Sequence, residues 1–222
     1  AFHKQRGAVA TLALYRVPNP LEYGVVITDE DGRVRQFQEK PSWGEVFSDT
    51  INTGIYVLEP GIFDLVPQDQ RFDFSQELFP LLLAQDAPLY GYVAGGYWCD
   101  IGTIQEYQRA TNDILEGRVQ VDLGQPRQPG VWAGEGVELA AEAQLTGPIY
   151  LGRGSKIKEG AILRGPTVVS AYSVVDRYAE LDRAIVWRNT YIGERVQAHG
   201  AIICRQCNVK AGAILGESAV IG

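Results

Sequence analysis

An aliphatic residue stands at every sixth position from Leu145 to Leu181: Leu145, Leu151, Ile157, Leu163, Val169, Val175 and Leu181. Two residues before each stands Ala143, Ile149, Ser155, Ala161, Thr167, Ser173 or Ala179, small in every case but Ile149. A second run repeats the rule at Ile203, Val209, Leu215 and Ile221, preceded by Ala201, Cys207, Ala213 and Ala219. A period of six fits neither the 3.6-residue α-helix nor the two-residue strand, and it is the signature of a hexapeptide β-helix. Each hexad predicts one short face and three faces one coil, with the aliphatic side chain inward and the small residue beside it. Between the runs the phase slips through Val186, Ile192 and Ala198, which predicts a bulge, a loop or a short face. A two-sheet sandwich would need this strict spacing to be accidental.

The remaining composition narrows function. A net charge of −7 without a basic block argues against nucleic acid, which needs clustered Lys and Arg. No apolar run approaches a membrane span, and Ala1 to Arg16 has no signal-peptide pattern. Three cysteines, Cys99, Cys204 and Cys207, are too few for a disulfide framework, so a cytoplasmic setting is expected. Ala1 to Arg6 reads as the tail of a helix closed by Gly7, and a segment is expected in front of Ala1. Ile221 completes an inward position, so further coils, a cap or a partner are expected after Gly222.

The first half mixes strands and helices. Strands are predicted over 8–16, 23–27, 34–39, 51–58, 89–93 and 97–100, with a hairpin turn at Asp29-Glu30-Asp31-Gly32. Prolines 18, 20 and 41 break the pattern, the last in Pro41-Ser42-Trp43-Gly44. Pro60 opens a short helix. A second helix covers Asp73 to Ala84, capped by Asp73 or Ser75, and a third covers Thr103 to Leu115, where Thr103 and Glu106 have capping-box spacing. The expected layout is an α/β part over 1–118, a linker over 119–130 and a β-helix over 131–222.

Tyr23-Gly24-Val25, Phe37-Gln38-Glu39-Lys40-Pro41, Asn52-Thr53-Gly54 and Trp98-Cys99-Asp100-Ile101-Gly102-Thr103 follow one another in this chain. In order and separation they resemble the sugar-1-phosphate nucleotidylyltransferases, closest to the mannose-1-phosphate guanylyltransferase branch, which also carries a hexapeptide domain. The resemblance implies the C-terminal half of a Rossmann-like nucleotidyltransferase domain followed by a left-handed parallel β-helix. It implies transfer of a nucleotide, with GTP the expected donor, to mannose-1-phosphate or a similar sugar-1-phosphate, releasing pyrophosphate and giving GDP-mannose or its like. It also implies Mg²⁺ held by Asp100, sugar phosphate contacted by Lys40, and sugar hydroxyls met by Glu39 and Asn52. Gly24 and Gly54 would let the backbone approach the sugar, and Tyr23 and Trp98 would wall the pocket. The family's Gly-rich nucleotide loop, its base-reading segment and its first metal-binding Asp are absent from these residues. The chain therefore resembles the sugar-binding part and tail of such an enzyme, and the missing N-terminal segment is an expected partner.

Each residue has a plainer reading. Asp100 is also a helix-start carboxylate before Thr103, and Lys40 a surface lysine. Glu39 is also a simple charge neighbour of Lys40. Asn52 is also a turn residue bonding its own backbone, and Gly24 and Gly54 bulge glycines. Tyr23 and Trp98 are also ordinary core aromatics. Two rival functions stand beside nucleotidyl transfer. One is a non-catalytic regulatory or assembly subunit that binds a nucleotide sugar. The other is a hexapeptide acyltransferase, whose general base could only be His199 or the distant His3. Cys204 and Cys207 read as structural thiols, since Cys207 takes a small inward slot. Homo-oligomerisation through the β-helix is expected. The 222 residues alone are expected not to turn over GTP and mannose-1-phosphate, because nothing in them replaces a Gly-rich phosphate cradle. A pyrophosphate-release assay on the purified chain checks this.

Overall fold

The structure is a computed structural model that describes residues 1–42, 44 and 48–222. Trp43, in the predicted break at Pro41 to Gly44, lies outside the described residues. The chain divides into two compact units, Ala1–Trp98 and Cys99–Gly222.

The first unit is a five-stranded sheet beside short helices. Helix α1 (Phe2–Arg6) closes at Gly7, whose φ of 59° gives the left-handed stop expected of glycine. The strands are β1 (Ala10–Arg16), β2 (Gly24–Thr28), β3 (Val34–Glu39), β4 (Thr50–Leu58) and β5 (Leu89–Val93), in the order β3-β2-β4-β1-β5. Pairing is antiparallel except between β1 and β5. Ala10, Leu12 and Leu14 alternate onto one face, where with Val26, Val34 and Leu89 they meet Leu78, Phe79 and Leu82. The turn at 29–32 forms as expected: Gly32 N donates to Asp29 O at 2.9 Å, and Gly32 has φ 86°. After a 3₁₀ turn over Pro60–Leu65, Asp73 caps the next helical segment, accepting from Ser75 N at 2.8 Å and Gln76 N at 2.9 Å. That segment starts as one π turn (Phe74–Leu78) before α2 (Phe79–Ala84). Pro80 explains the wide turn, since its ring nitrogen has no proton for an α-helical bond.

The strand predicted at Tyr97 to Asp100 does not form. Gly95 and Gly96, the latter at φ 90°, turn the chain out of β5, and Trp98 packs sideways onto Tyr15 and Tyr23.

The second unit opens with α3 (Ile104–Leu115), capped by Thr103, whose Oγ1 accepts from Glu106 N at 3.1 Å. The reciprocal half of the capping box is missing, because Glu106 turns its carboxylate to Arg109 at 2.5 Å. The expected linker ends in a strand, Pro126–Gln128, which runs antiparallel to Val131–Ala133. From there the chain winds as a parallel β-helix of the left-handed hexapeptide type, with three flat faces. The inward side chains form three columns: Leu151, Val169, Val186 and Ile203 on the first face; Leu139, Ile157, Val175, Ile192 and Val209 on the second; Leu145, Leu163, Leu181, Ala198 and Leu215 on the third. Small residues stack beside them, as in Ser155, Ser173 and Thr190.

The phase slip has a simple cause. At the corner from third face to first, the early coils carry Gly147-Pro148 and Gly165-Pro166, the next two coils carry one residue, Arg183 at φ 50° or Gly200 at φ 58°, and the last regains two, Glu217 and Ser218. One residue is lost in each of those two coils, and the inward columns still align. Helix α3 is fastened at both flanks of the first face, where Gln108 Nε2 donates to Gly200 O at 2.8 Å and Trp187 Nε1 to Tyr107 Oη at 3.0 Å. Between those flanks Ile185 and Ile202 point outward yet are only 3% exposed. Among the described residues no helix is long and apolar enough to cross a membrane.

Leu163 is fully buried in the third column and Arg164 beside it is exposed. Leu163→Asp is expected to cost several kcal/mol by burying an unpaired carboxylate, and Arg164→Asp less than about 1 kcal/mol through a surface ion pair. Urea melts of both variants check the register.

Candidate functional site

Strands β2 and β3 set Gly24 opposite Glu39 in register. A methyl group at Gly24 would stand 2.7 Å from Glu39 Oε2 and 2.9 Å from Phe37 Cζ. Gly24 is thus needed for room, since it lacks a positive φ, and the room is filled by the Glu39 carboxylate. Glu39 is half-buried at the rim of the core face. Burial raises its pKa above the usual glutamate range; neighbouring Lys40 works against this and the Asp73 carboxylate adds to it.

Asn52 lies on the same face, next to the bulge in β4. Leu12 pairs with Tyr56 and Leu14 with Asn52, so Thr53, Gly54 and Ile55 together face Ala13. Gly54 takes φ 79° with open space around it, so glycine is needed there for its backbone conformation. Thr53 Oγ1 donates to Ala13 O at 2.8 Å and closes the bulge. Asn52 Oδ1 accepts from Gly54 N at 3.1 Å, while Nδ2 donates to Tyr56 Oη at 2.9 Å. Ser75 Oγ stands 3.5 Å from the same Nδ2. The turn-type backbone bond and a fixed, half-exposed amide therefore coexist in one residue.

Lys40 extends the β2–β3 ladder by one bond, its N–H donating to Tyr23 O at 3.1 Å. It has φ 44°, a left-handed conformation, immediately before Pro41. Residues before proline normally stay extended, so surrounding structure holds this one in place. Its side chain is exposed. Tyr23 points to the opposite sheet face from Gly24 and meets Trp98 edge-on at 5.8 Å; Trp98 in turn lies 5.6 Å from Tyr15. Asp100 belongs to the second unit, in the exposed turn before α3. A methyl at Gly102 would stand 3.4 Å from Asp100 Oδ2, so the carboxylate folds over that glycine. The helix-capping role falls to Thr103.

The first unit thus brings Gly24, Glu39 and Asn52 to one rim, with Lys40 and Gly54 at its edge and Tyr23 and Trp98 behind the sheet. Asp73, Ser75 and Tyr56 were not expected there. Asp73 and Ser75 were legible only as helix caps, and Tyr56 sits four residues after Asn52 because the bulge realigns it. Among the described residues no three His, Cys, Asp or Glu side chains cluster as a metal site. Asp100 is a single exposed carboxylate without a hydrogen bond or ion pair among the described residues. That suits Mg²⁺, which takes one or two carboxylates and completes its shell with phosphates and water.

The profile described as nucleotidyl transferase matches residues 1–117, more than half of the chain. The chain belongs to the nucleotidyl transferase family. A second profile, a GlmU-like C-terminal hexapeptide, matches residues 143–220. A UTP–glucose-1-phosphate uridylyltransferase of Synechocystis is 32% identical over 98% of this chain and 58% of its own length. A mannose-1-phosphate guanylyltransferase of Mycobacterium tuberculosis is 35% identical over 79% of this chain and 50% of its own. A glucose-1-phosphate adenylyltransferase of Desulfitobacterium hafniense is 28% identical over 98% and 56%. The chain spans about half the length of the curated relatives it matches. The relatives share the family and differ in base and sugar.

Glu39→Gln removes a charge that burial disfavours. The wild-type carboxylate has a raised pKa, so its cost is fully present above its own pKa, fades as pH falls through it and is gone below the ordinary glutamate value. The variant is expected to melt no lower than wild type at pH 7, with any gain shrinking toward pH 4. Thermal melts across pH check this.

Proposed function

We propose that the complete polypeptide is a sugar-1-phosphate nucleotidyltransferase and that this chain supplies its sugar-phosphate side. The observation that carries the reading is the rim where Glu39 and Asn52 face one way above Gly24. Glu39 accepts from sugar hydroxyls, and Asn52 offers an amide already steadied by Tyr56 and Gly54. Lys40, a flexible point charge at the rim's edge, holds the phosphate. An oxygen of that phosphate attacks the α-phosphorus of the nucleoside triphosphate, and pyrophosphate leaves. Both reactants are anions, so positioning and positive charge supply most of the acceleration. Asp100 would hold Mg²⁺, which when bound would supply neutralisation of the phosphate charge.

For the substrates we favour GTP and mannose-1-phosphate. The motif order of the chain and the 35% identity to the mycobacterial guanylyltransferase support that pair. Relatives that use UTP or name adenylyl transfer make glucose-1-phosphate with UTP or ATP the competing pairs. Three free thiols favour a cytoplasmic setting, and the flat β-helix faces suit side-by-side association of copies.

In the complete polypeptide, Asp100→Asn is expected to lower turnover roughly a hundredfold or more, the scale on which preorganised charges matter, without loss of folding. Lys40→Ala is expected to raise the KM for sugar phosphate and leave that for the nucleotide nearly unchanged. Steady-state kinetics across a Mg²⁺ titration, with mannose-1-phosphate and glucose-1-phosphate compared against each triphosphate, tests both. Normal turnover of Asp100→Asn at low Mg²⁺ would remove Asp100 from the site.

A further inference from the structure

Outward side chains of the β-helix follow a rule of alternating charge from coil to coil. Glu135 pairs with Arg153 at 3.4 Å, Glu138 with Lys156 at 2.9 Å, Lys158 with Asp176 at 3.0 Å and Glu159 with Arg177 at 3.9 Å. Each partner is one coil away, where ladder spacing is about 4.8 Å. One column breaks the rule. It begins with Glu135 and Arg153, continues through Ala171, and then carries Arg188 and Arg205 in succession. These two arginines are exposed and have no acidic partner among the described residues. Like charges in direct register repel, and the cost would be removed by substituting either one.

The same two arginines line a groove of about 390 Å³ with Tyr107, Ser170, Ala171 and Trp187. Ala171 leaves the floor open just before the arginine stack. Trp187 is 36% exposed and its indole N–H is already given to Tyr107 Oη at 3.0 Å. That bond orients the phenol to donate its own proton away from the indole. The lining therefore offers two guanidinium groups, two hydroxyl donors and an aromatic wall, and among the described residues no carboxylate.

We propose that this groove binds a phosphorylated small molecule, with Arg188 and Arg205 on the phosphate and Trp187 against its organic part. Planar guanidinium groups match phosphate oxygens in pairs, and the volume exceeds that of a lone phosphate. The groove lies wholly within the second unit and does not include Lys40, Glu39 or Asn52. It is therefore separate from the proposed substrate rim, and its occupancy does not depend on that reading.

The test titrates the purified protein with inorganic phosphate, pyrophosphate and mannose-1-phosphate, against chloride at matched ionic strength. Tryptophan emission and the thermal midpoint are followed. Saturable binding is expected to raise the midpoint, as ligation of the folded state must. R188Q/R205Q should raise Kd at least about tenfold, the loss expected for charge-assisted bonds. Arg183→Gln, whose arginine already pairs with Glu217 at 2.7 Å, should leave Kd unchanged. Trp187→Phe should remove the emission change and keep the thermal shift. Arg205→Glu rebuilds the alternating pattern, so it should melt no lower than wild type without anion and lose the anion response. The proposal fails if chloride acts as well as phosphate, if R188Q/R205Q binds like wild type, or if Lys40→Ala abolishes the response. It fails equally if Arg205→Glu melts lower without anion. Low-salt self-association that needs these arginines, with no saturable phosphate binding, would assign the column to an acidic protein surface instead.

Discussion

An inward side chain in a coil of two- or three-residue strands stacks on the equivalent position in the next coil and packs with the inward residues of the other two faces. No strand of the β-helix is long enough to hold a ladder by itself, so order propagates through these columns. The requirement is strict in side-chain type and loose in loop length. That is why removing one residue at the corners of Arg183 and Gly200 leaves Leu181 stacked on Ala198 and Val169 on Val186. It is also why small residues beside the column matter. Ser173 Oγ donates to Trp187 O at 2.8 Å and accepts from Thr190 N, whereas Ser155, one coil earlier, is fully buried and its hydroxyl has no partner among the described residues. A position that tolerates an unpaired buried hydroxyl is selected for size before hydrogen bonding.

The first unit faces the opposite problem. One sheet face has to be both a core and the rim of a polar site. Leu12, Leu14 and Val26 fill the centre, and Glu39 and Asn52 occupy the border where the helix cap at Asp73 begins. Burial and the Asp73 charge disfavour the Glu39 carboxylate, which is a cost to folding. Hydroxyl donors from a sugar would remove it. The left-handed Lys40 before Pro41 carries a second local cost at the same edge. Strain and desolvation are thus concentrated at one rim beside the apolar core, as the proposed substrate role would require of it.

Much of this was legible in the sequence because it is local or periodic. The hexad rule named the inward residues of the β-helix, and Gly7, Gly32, Asp73 and Thr103 announced their caps and turns. What escaped depends on contacts distant in sequence. Tyr97 to Asp100 has strand-forming residues, but the turn at Gly95 and Gly96 takes the chain out of the sheet, and Trp98 packs on Tyr15 and Tyr23 instead. Glu106 has capping-box spacing, yet Arg109 and the Cys99 thiol claim its carboxylate. Family resemblance, not periodicity, pointed to Glu39, Lys40 and Asn52. Their neighbours Tyr56 and Ser75 needed the bulge and the π turn, which no local pattern announces. The Arg188–Arg205 column became visible only when coil register placed residues 17 apart side by side.

On the proposed function, the rim of Gly24, Glu39 and Asn52 receives a sugar phosphate. The most direct measurement is an amide chemical-shift map of the 24.4 kDa chain during a mannose-1-phosphate titration. Saturable shifts are expected, largest at Gly24, Glu39, Lys40, Asn52 and Gly54, and absent in Glu39→Ala. Shifts confined to the β-helix, or none at these five amides up to saturating ligand, would contradict it.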